Sequence, residues 1–405
     1  MALGGDFALF LVGLSFAARS TILPAFAAHL GAPNLIIGAI PAVMTAGWLL
    51  PSLFAAGHTV TLPRKLPFVL RYTIWERAPF LVLALAAFFL ADPAPALTLA
   101  IVLIMLLIIT GAGGALMPAW MDVVGRAIPT HLRGRFFAVA SLTGNTGGFL
   151  GSFATAYILG VLEAPVSYGV CFVISGFFMG LSYVSLRFAR EPLSGVAQPV
   201  EPLRTYLARV PALLRGNRNL CWFLAARAFD VAGAMANGFY TVYALRTRSA
   251  EAAQVGLFTT FLLSGEIAGN LVLGWLADRA GHRLVIITGA SATVAANLIA
   301  LAAPSLGWFS VVFALVGLQV AAIHVSNLNI LLEFAPVPAD RPTYIGIGNT
   351  LLAPVTFAAP LIAGLMADAL GFEFLFGVAA LAGAIGLALL IGQVRDPRYA
   401  RGMGR

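Results

Sequence analysis

Two opposite charges, Arg227 and Asp230, stand three residues apart in Leu224-Ala225-Ala226-Arg227-Ala228-Phe229-Asp230, within a long and otherwise apolar segment. A charge in such a segment is costly unless it is paired or faces water, so it marks a candidate functional site. Phe16-Ala17-Ala18-Arg19-Ser20 repeats the Ala-Ala-Arg at an offset of 208 residues. A guanidinium binds a carboxylate or phosphate through two parallel hydrogen bonds, so Arg19 and Arg227, converging on one cavity, would suit an anionic group. The same residues admit a second reading. Arg227 can pair with Asp230 at i,i+3, Arg77 with Glu76 or another helix, and Arg19 with Glu266 or Glu76.

Other polar groups in apolar surroundings extend the candidate site. Asp230, Ala234, Asn237 and Thr241 continue the Arg227 face at helical spacing. Thr259, Glu266 and Asn270 share a face further on, as do Ser141, Asn145, Gly148, Ser152 and Thr155, while Gln319, His324, Ser326 and Asn327 fall in one later segment. Arg19, Arg227, Asp230, Asn237, Asn145 and Gln319 are the candidate solute-binding residues. Glu76, Asp230, Glu266 and His324 are the candidates for proton coupling, because titratable groups withdrawn from water can load and release a proton. Glu266 stands out, with no basic neighbour on its own segment. His324 also reads as a hydrogen-bonded packing histidine. Glu76 and Arg77 are adjacent, so on one helix they would point to diverging sides.

The elements that carry these residues follow from composition. With 405 residues, 60% hydrophobic and 10% charged, the chain is too apolar for a soluble domain and reads as an all-α polytopic membrane protein. Apolar runs long enough to cross a core of about 30 Å lie near residues 5–29, 35–57, 67–91, 96–123, 135–161 and 165–189. A second set lies near 219–247, 253–277, 283–303, 307–334, 342–368 and 372–393. That is twelve spans in two bundles, 1–189 and 219–393, joined by an Arg- and Pro-rich linker at 190–218 and followed by a tail at 394–405. Residues 1–30 lack a basic leader and carry Arg19 within the apolar run, so the first span reads as retained.

Charge fixes the orientation. Of 24 Lys and Arg, 19 fall on the side shared by the termini and the linker, Arg246 and Arg248 on the other side, and Arg19, Arg77 and Arg227 within spans. Both termini are therefore expected in the cytoplasm, in a bacterial inner membrane. The net charge of +8 follows topology and implies no nucleic acid. The repeat continues beyond the arginines: Ile37-Gly38 and Gly47 match Val255-Gly256 and Gly265, and Arg133-Gly134 matches Arg341-Pro342. Parallel six-span repeats belong to one transporter architecture, with its site near the membrane midplane.

Gly274-Trp275-Leu276-Ala277-Asp278-Arg279-Ala280-Gly281-His282-Arg283 resembles the G-x-L-x-D-R-x-G-x-R signature of the major facilitator superfamily. The equivalent first-half connection, Gly57 to Lys65, has no acidic residue. The resemblance implies twelve helices and alternating access by two six-helix halves. Physically, Gly281 would permit a tight reversal, and Arg279 and Arg283 would reach Asp122 or Glu333, beside Arg133, Arg135 and Arg341, as a cytoplasmic gate. The Arg19 and Arg227 pair also resembles the organophosphate:phosphate antiporters of that superfamily. The fifth span, Gly144-Asn145-Thr146-Gly147-Gly148, lacks the proline of the family's antiporter signature.

These features point to a monomeric secondary transporter for a small solute, driven by protons or a counter-ion in a lipid bilayer, with an organic anion as one solute class. Multidrug or amphiphile efflux, and a non-transporting receptor or lipid-handling protein of the same fold, are the alternatives. An enzyme is not expected: there is no nucleotide-binding glycine loop, no metal-ligand cluster and no nucleophile–base spacing. No cofactor is expected. Cys171 and Cys221 have no CxxC spacing and read as packing residues.

Overall fold

The computed structural model describes residues 1–60, 62–192, 211, 213–335 and 341–397, so most of the linker and the end of the tail lie outside the described residues. The described part is helical. In chain order the helices are α1 (Ala2–Ser15), α2 (Ile22–His29), α3 (Asn34–Val60), α4 (Leu66–Tyr72), α5 (Ile74–Arg77), α6 (Pro79–Phe89), α7 (Pro95–Ala127), α8 (Thr130–Val161) and α9 (Val166–Arg187). Then come α10 (Arg218–Gly233), a 3₁₀ turn (Ala234–Ala236), α11 (Phe239–Thr247), α12 (Ala252–Ala280), α13 (His282–Ala302), α14 (Trp308–Phe334), α15 (Arg341–Leu370) and α16 (Phe372–Gly392).

Among the described residues nine helices are long and apolar enough to cross a membrane. The other expected spans differ for physical reasons. The first and seventh are broken, into α1 with α2 and into α10 with α11. The fifth, α8, is diluted by the hydroxyl and amide groups of Ser141, Thr143, Asn145, Thr146, Ser152 and Thr155. The third span is one of the nine and is bent at Thr73 and Ala78 into α4, α5 and α6. Pro79, which begins α6, supplies no backbone donor, in keeping with the second bend.

The chain forms two compact units, Met1–Val200 with Leu245–Thr260, and Glu201–Ala244 with Phe261–Arg405. In the first, α1 packs against α8 and α9, and α3 against α7. Glycines set the separations: a Cβ on Gly47 would strike Thr110, and one on Gly114 would strike the Trp48 backbone. Residues 245–260 are held in this unit by Arg246, which donates to Asn34 Oδ1 (3.0 Å) and the Ala32 carbonyl (2.6 Å). Thr21 with Thr259 and Ser152 with Thr260 add hydroxyl pairs, each at 2.7 Å.

In the second unit α10 packs on α16, and α13 lies against α14 and α16. Its buried core joins Leu220, Phe223 and Leu224 of α10 to Ile286, Ile330, Phe334 and Leu390. Exposed leucines, valines and aromatics such as Leu81, Leu85, Phe89, Leu271 and Val272 cover the outer helix faces, as a hydrocarbon solvent requires.

Both broken spans dispose of their freed carbonyls. Ser175 Oγ of α9 donates to the Gly13 carbonyl at 2.8 Å, near the end of α1. Asn297 Nδ2 of α13 donates to the Gly233 carbonyl at 3.0 Å, at the end of α10, and its Oδ1 accepts from the Tyr240 hydroxyl at 2.8 Å. Away from water an unpaired backbone group costs several kcal/mol, so these side chains make the breaks tenable.

Candidate functional site

Glu266 sits on α12 where that helix meets α14 at close range. A Cβ on Gly265 would collide with the backbone of Ala314, and one on Gly317 with the backbone of Leu262 and Glu266. His324 is seven residues, two turns, beyond Gly317 and therefore on the same side of α14. The crossing brings His324 Nδ1 to 3.4 Å from Glu266 Oε1. The carboxylate is largely enclosed, at 12% side-chain exposure, while the imidazole is open at 59%. Glu266 thus has a basic neighbour after all, supplied by another helix. An acid and an imidazole in reach of one another can share and pass a proton.

Arg227 and Asp230 take the paired reading. The guanidinium Nη1 donates to Asp230 Oδ2 one turn along α10, and the two side chains are 4% and 2% exposed. The second carboxylate oxygen, Asp230 Oδ1, has no described partner. Gly386 of α16 lies against the backbone of Ala226 and Asp230, and Gly383 against Gly233. Arg227 Nε has no described partner. The face expected to line a cavity is therefore packed: Arg227, Asp230 and Thr241 are buried and Asn237 is half-buried beyond the 3₁₀ turn. The glycines of α16 allow that close approach. Gln319 is buried too, its Oε1 without a described partner, and Asn145 is half-buried on α8.

Arg19 behaves differently. It lies in the turn between α1 and α2, exposed, and no described residue is shown pairing with it. Pro24 cannot donate to the Ser20 carbonyl and crowds it, which favours a break at this point. The corresponding position in the second half is Ala232, and there the helix runs unbroken past Arg227 to Gly233. The two acids offered to Arg19 by the paired reading have other partners: Glu266 faces His324 and Glu76 faces Arg77.

The bends of the third span also bring Glu76 and Arg77 together, where a continuous helix would have turned them apart. Arg77 Nη1 lies 3.1 Å from Glu76 Oε2, and Nη2 lies 2.7 Å from Asp6 Oδ1. Asp6, 2% exposed, also accepts from the Ser182 hydroxyl at 2.6 Å and from Trp120 Nε1 at 3.0 Å. Sequence reasoning missed Asp6 because it stands next to the N-terminus, where a charge looks interfacial. Its signal was spacing: Asp6, Gly13 and Ser20 mark one polar and small-residue face of the first span.

At the end of α12 the reversal occurs as the motif implies, with Gly281 at φ 94°, a conformation that favours glycine. The charges nearby find other partners than expected. Asp278 is exposed and Arg279 lies 4.4 Å over the Trp275 ring. Arg283 donates to the carbonyls of Leu390 and Ile391, both at 2.9 Å, capping the end of α16 in place of reaching an acid. Glu333 lies 3.9 Å from His282 Nε2. Asp122 is taken by Arg126 at 2.7 Å and by Lys65, and Glu191 accepts from the Lys65 and Leu66 amides, both at 2.8 Å, and from Arg126 at 3.3 Å. Arg133 donates to the carbonyls of Ile128 and Gly125, Arg135 is exposed, and Gly274 has open space where a Cβ would stand. The Arg341 side chain lies outside the described residues.

Known proteins share this fold over nearly the whole chain. Over 97% of this chain and 99% of that one, the nucleoside transporter NupG, solved as a mutant, superposes with a TM-score of 0.74 at 12% identity. The fold is that of the major facilitator superfamily. A D-xylose-proton symporter of the superfamily fold aligns over 98% of both chains with a TM-score of 0.68 and 14% identity. Residues 228–402 match the sequence family described as Major Facilitator Superfamily. Solute carrier family 22 member 6 of Rattus norvegicus is 31% identical over 110 residues, 26% of this chain. The aligned part spans 20% of that relative's length. The chain is thus a multi-pass integral membrane protein with a major facilitator transporter fold.

Proposed function

We propose that this chain is a proton-coupled secondary transporter of a small solute, with Glu266 and His324 as the coupling pair. The observation that carries the reading is that two titratable side chains from different helices face each other at 3.4 Å, one enclosed and one open. An enclosed acid must change its charge state or its partner when the surrounding helices move, which links proton occupancy to conformation. Both termini are cytoplasmic in this reading, on the positive-inside distribution.

A second feature bears on the solute. Arg19 is an exposed guanidinium in a break of the first span, just before the start of α2. It favours a solute with an anionic group, read by Arg19 alone, since Arg227 is engaged by Asp230. The first test is a thermal-shift screen of the purified protein against nucleosides, pentoses and organic anions. Any solute that raises the unfolding temperature is then offered to reconstituted vesicles under an imposed pH gradient. Accumulation that collapses with the gradient supports the reading; binding without flux replaces it with a receptor role.

A further inference from the structure

The first unit holds one guanidinium among two acids. Arg77, Asp6 and Glu76 come from α1 and α5, all enclosed by α7 and α9, with side-chain exposures of 8%, 3% and 13%. Asp6 has three donors on its carboxylate: Arg77 Nη2, Ser182 Oγ and Trp120 Nε1. That is the environment of an ionised group, and it uses the single positive charge of Arg77. Glu76 is left with the second guanidinium edge and the Thr73 hydroxyl at 3.2 Å. Its Oε1 turns towards α7, against Gly113 and beside Trp48. The charges acting on Glu76 are Arg77 and Asp6; α3, α7 and α9 present Trp48, Gly113, Trp120 and Ser182, which carry none. Another charged group of the first unit, Lys65, Asp122, Arg126 and Glu191, is paired within itself. With both acids ionised the cluster would carry a net negative charge in a low-dielectric interior, where an uncompensated charge is expensive.

We propose that the Asp6–Arg77–Glu76 cluster is a proton-binding site of the first unit, with the proton on Glu76, separate from the Glu266–His324 pair. The inference rests on the proton-coupled reading for its use in transport, but not for its existence. It gives each unit one place to hold a proton. In the first unit the arginine already engaged by Asp6 fixes the geometry, and proton release from Glu76 leaves two acids competing for one cation. That competition is a force on α1 and α5, the elements that hold the three side chains.

The test needs no solute. Infrared difference spectra of the purified full-length protein report the carbonyl stretch of protonated carboxylic acids as pH is stepped through the neutral range. One component of that band is expected to disappear in Glu76→Gln. The discriminating variant is Asp6→Asn. With its competitor removed, Glu76 becomes the sole counter-charge of Arg77 and ionises, so Asp6→Asn is expected to lose the same component although Glu76 is still present. A component that survives Asp6→Asn, a spectrum unchanged in Glu76→Gln, or a component that stays fixed at every pH would each overturn the proposal. Failure of gradient-driven flux in vesicles would instead fall on the transporter reading and leave this band untouched. Should Asp6→Asn not fold, Ser182→Ala and Trp120→Phe together strip two donors from Asp6. They are expected to shift the pH at which the component titrates, and no shift counts against the cluster.

Discussion

Two pairs of opposite or exchangeable charge lie in the second unit, and they are built differently. Arg227 and Asp230 belong to one helix, three residues apart, and are 4% and 2% exposed. Glu266 and His324 belong to two helices, approach at 3.4 Å, and are 12% and 59% exposed. The first pair is enclosed where glycines of α16 press against the α10 backbone. The second has an enclosed acid with an open base. A buried charge pair is retained because breaking it is costly, whereas a half-open pair has alternatives on one side. In the proposed reading the difference separates a structural pair from a working one, although the sequence shows both merely as charges within apolar spans.

The largest effect expected from breaking this comparison is at Asp230. Asp230→Ala leaves Arg227 buried without its partner and is expected to cost about 3–5 kcal/mol, seen as a steep fall in unfolding temperature in detergent. Glu266→Gln should cost under about 1.5 kcal/mol and remove pH-gradient-driven accumulation instead. A Glu266→Gln protein as unstable as Asp230→Ala would erase the distinction.

Next in size is the helix crossing. Gly317→Val has no room against Leu262 and Glu266, and overpacking of this kind costs about 1–3 kcal/mol. Its expected signature is a parallel loss of coupling, because α14 carries His324 away from Glu266. Coupling that survives in a stably folded Gly317→Val would show that the two residues need not meet.

The arginines sharpen the same contrast across the repeat. Arg19→Ala is expected to change stability by no more than about 0.5 kcal/mol, as for an exposed group that no described residue is shown pairing with, yet to weaken the shift given by an anionic solute. Arg227→Lys should do the opposite: it keeps the charge beside Asp230 and the solute response, at a modest loss of stability. Smallest of all is Asp278→Asn, expected to leave stability within a few tenths of a kcal/mol because the side chain is exposed. Its effect as a gate residue would appear as altered labelling of cytoplasmic-side cysteines.

Much of the fold could be read before any coordinates. Apolar run length, the basic bias of one side and the motif ending at Gly281 carry it, since a bilayer leaves few ways to satisfy the backbone. The breaks were only half legible. Pro24 signals one in the first span, but nothing as plain marks the 3₁₀ turn at Ala234–Ala236, whose support comes from Asn297 on a distant helix. The site residues were legible as types and not as partners. Glu266 and His324 are 58 residues apart, and only the close approach allowed by Gly265 and Gly317 joins them. Arg227 and Arg19 share a sequence echo but not a fate, because the backbone continues past one and turns at the other. The gate partners were not legible either: Arg279 lies over an aromatic face and Arg283 donates to helix-end carbonyls.

The most direct measurement is uptake into vesicles of whichever solute stabilises the purified protein, driven by a pH gradient alone, in wild type, Glu266→Gln and His324→Gln. Gradient-dependent accumulation in wild type is expected, with accumulation abolished in Glu266→Gln, reduced in His324→Gln, and passive exchange of the solute retained in both. Full accumulation in the Glu266→Gln protein would contradict the account.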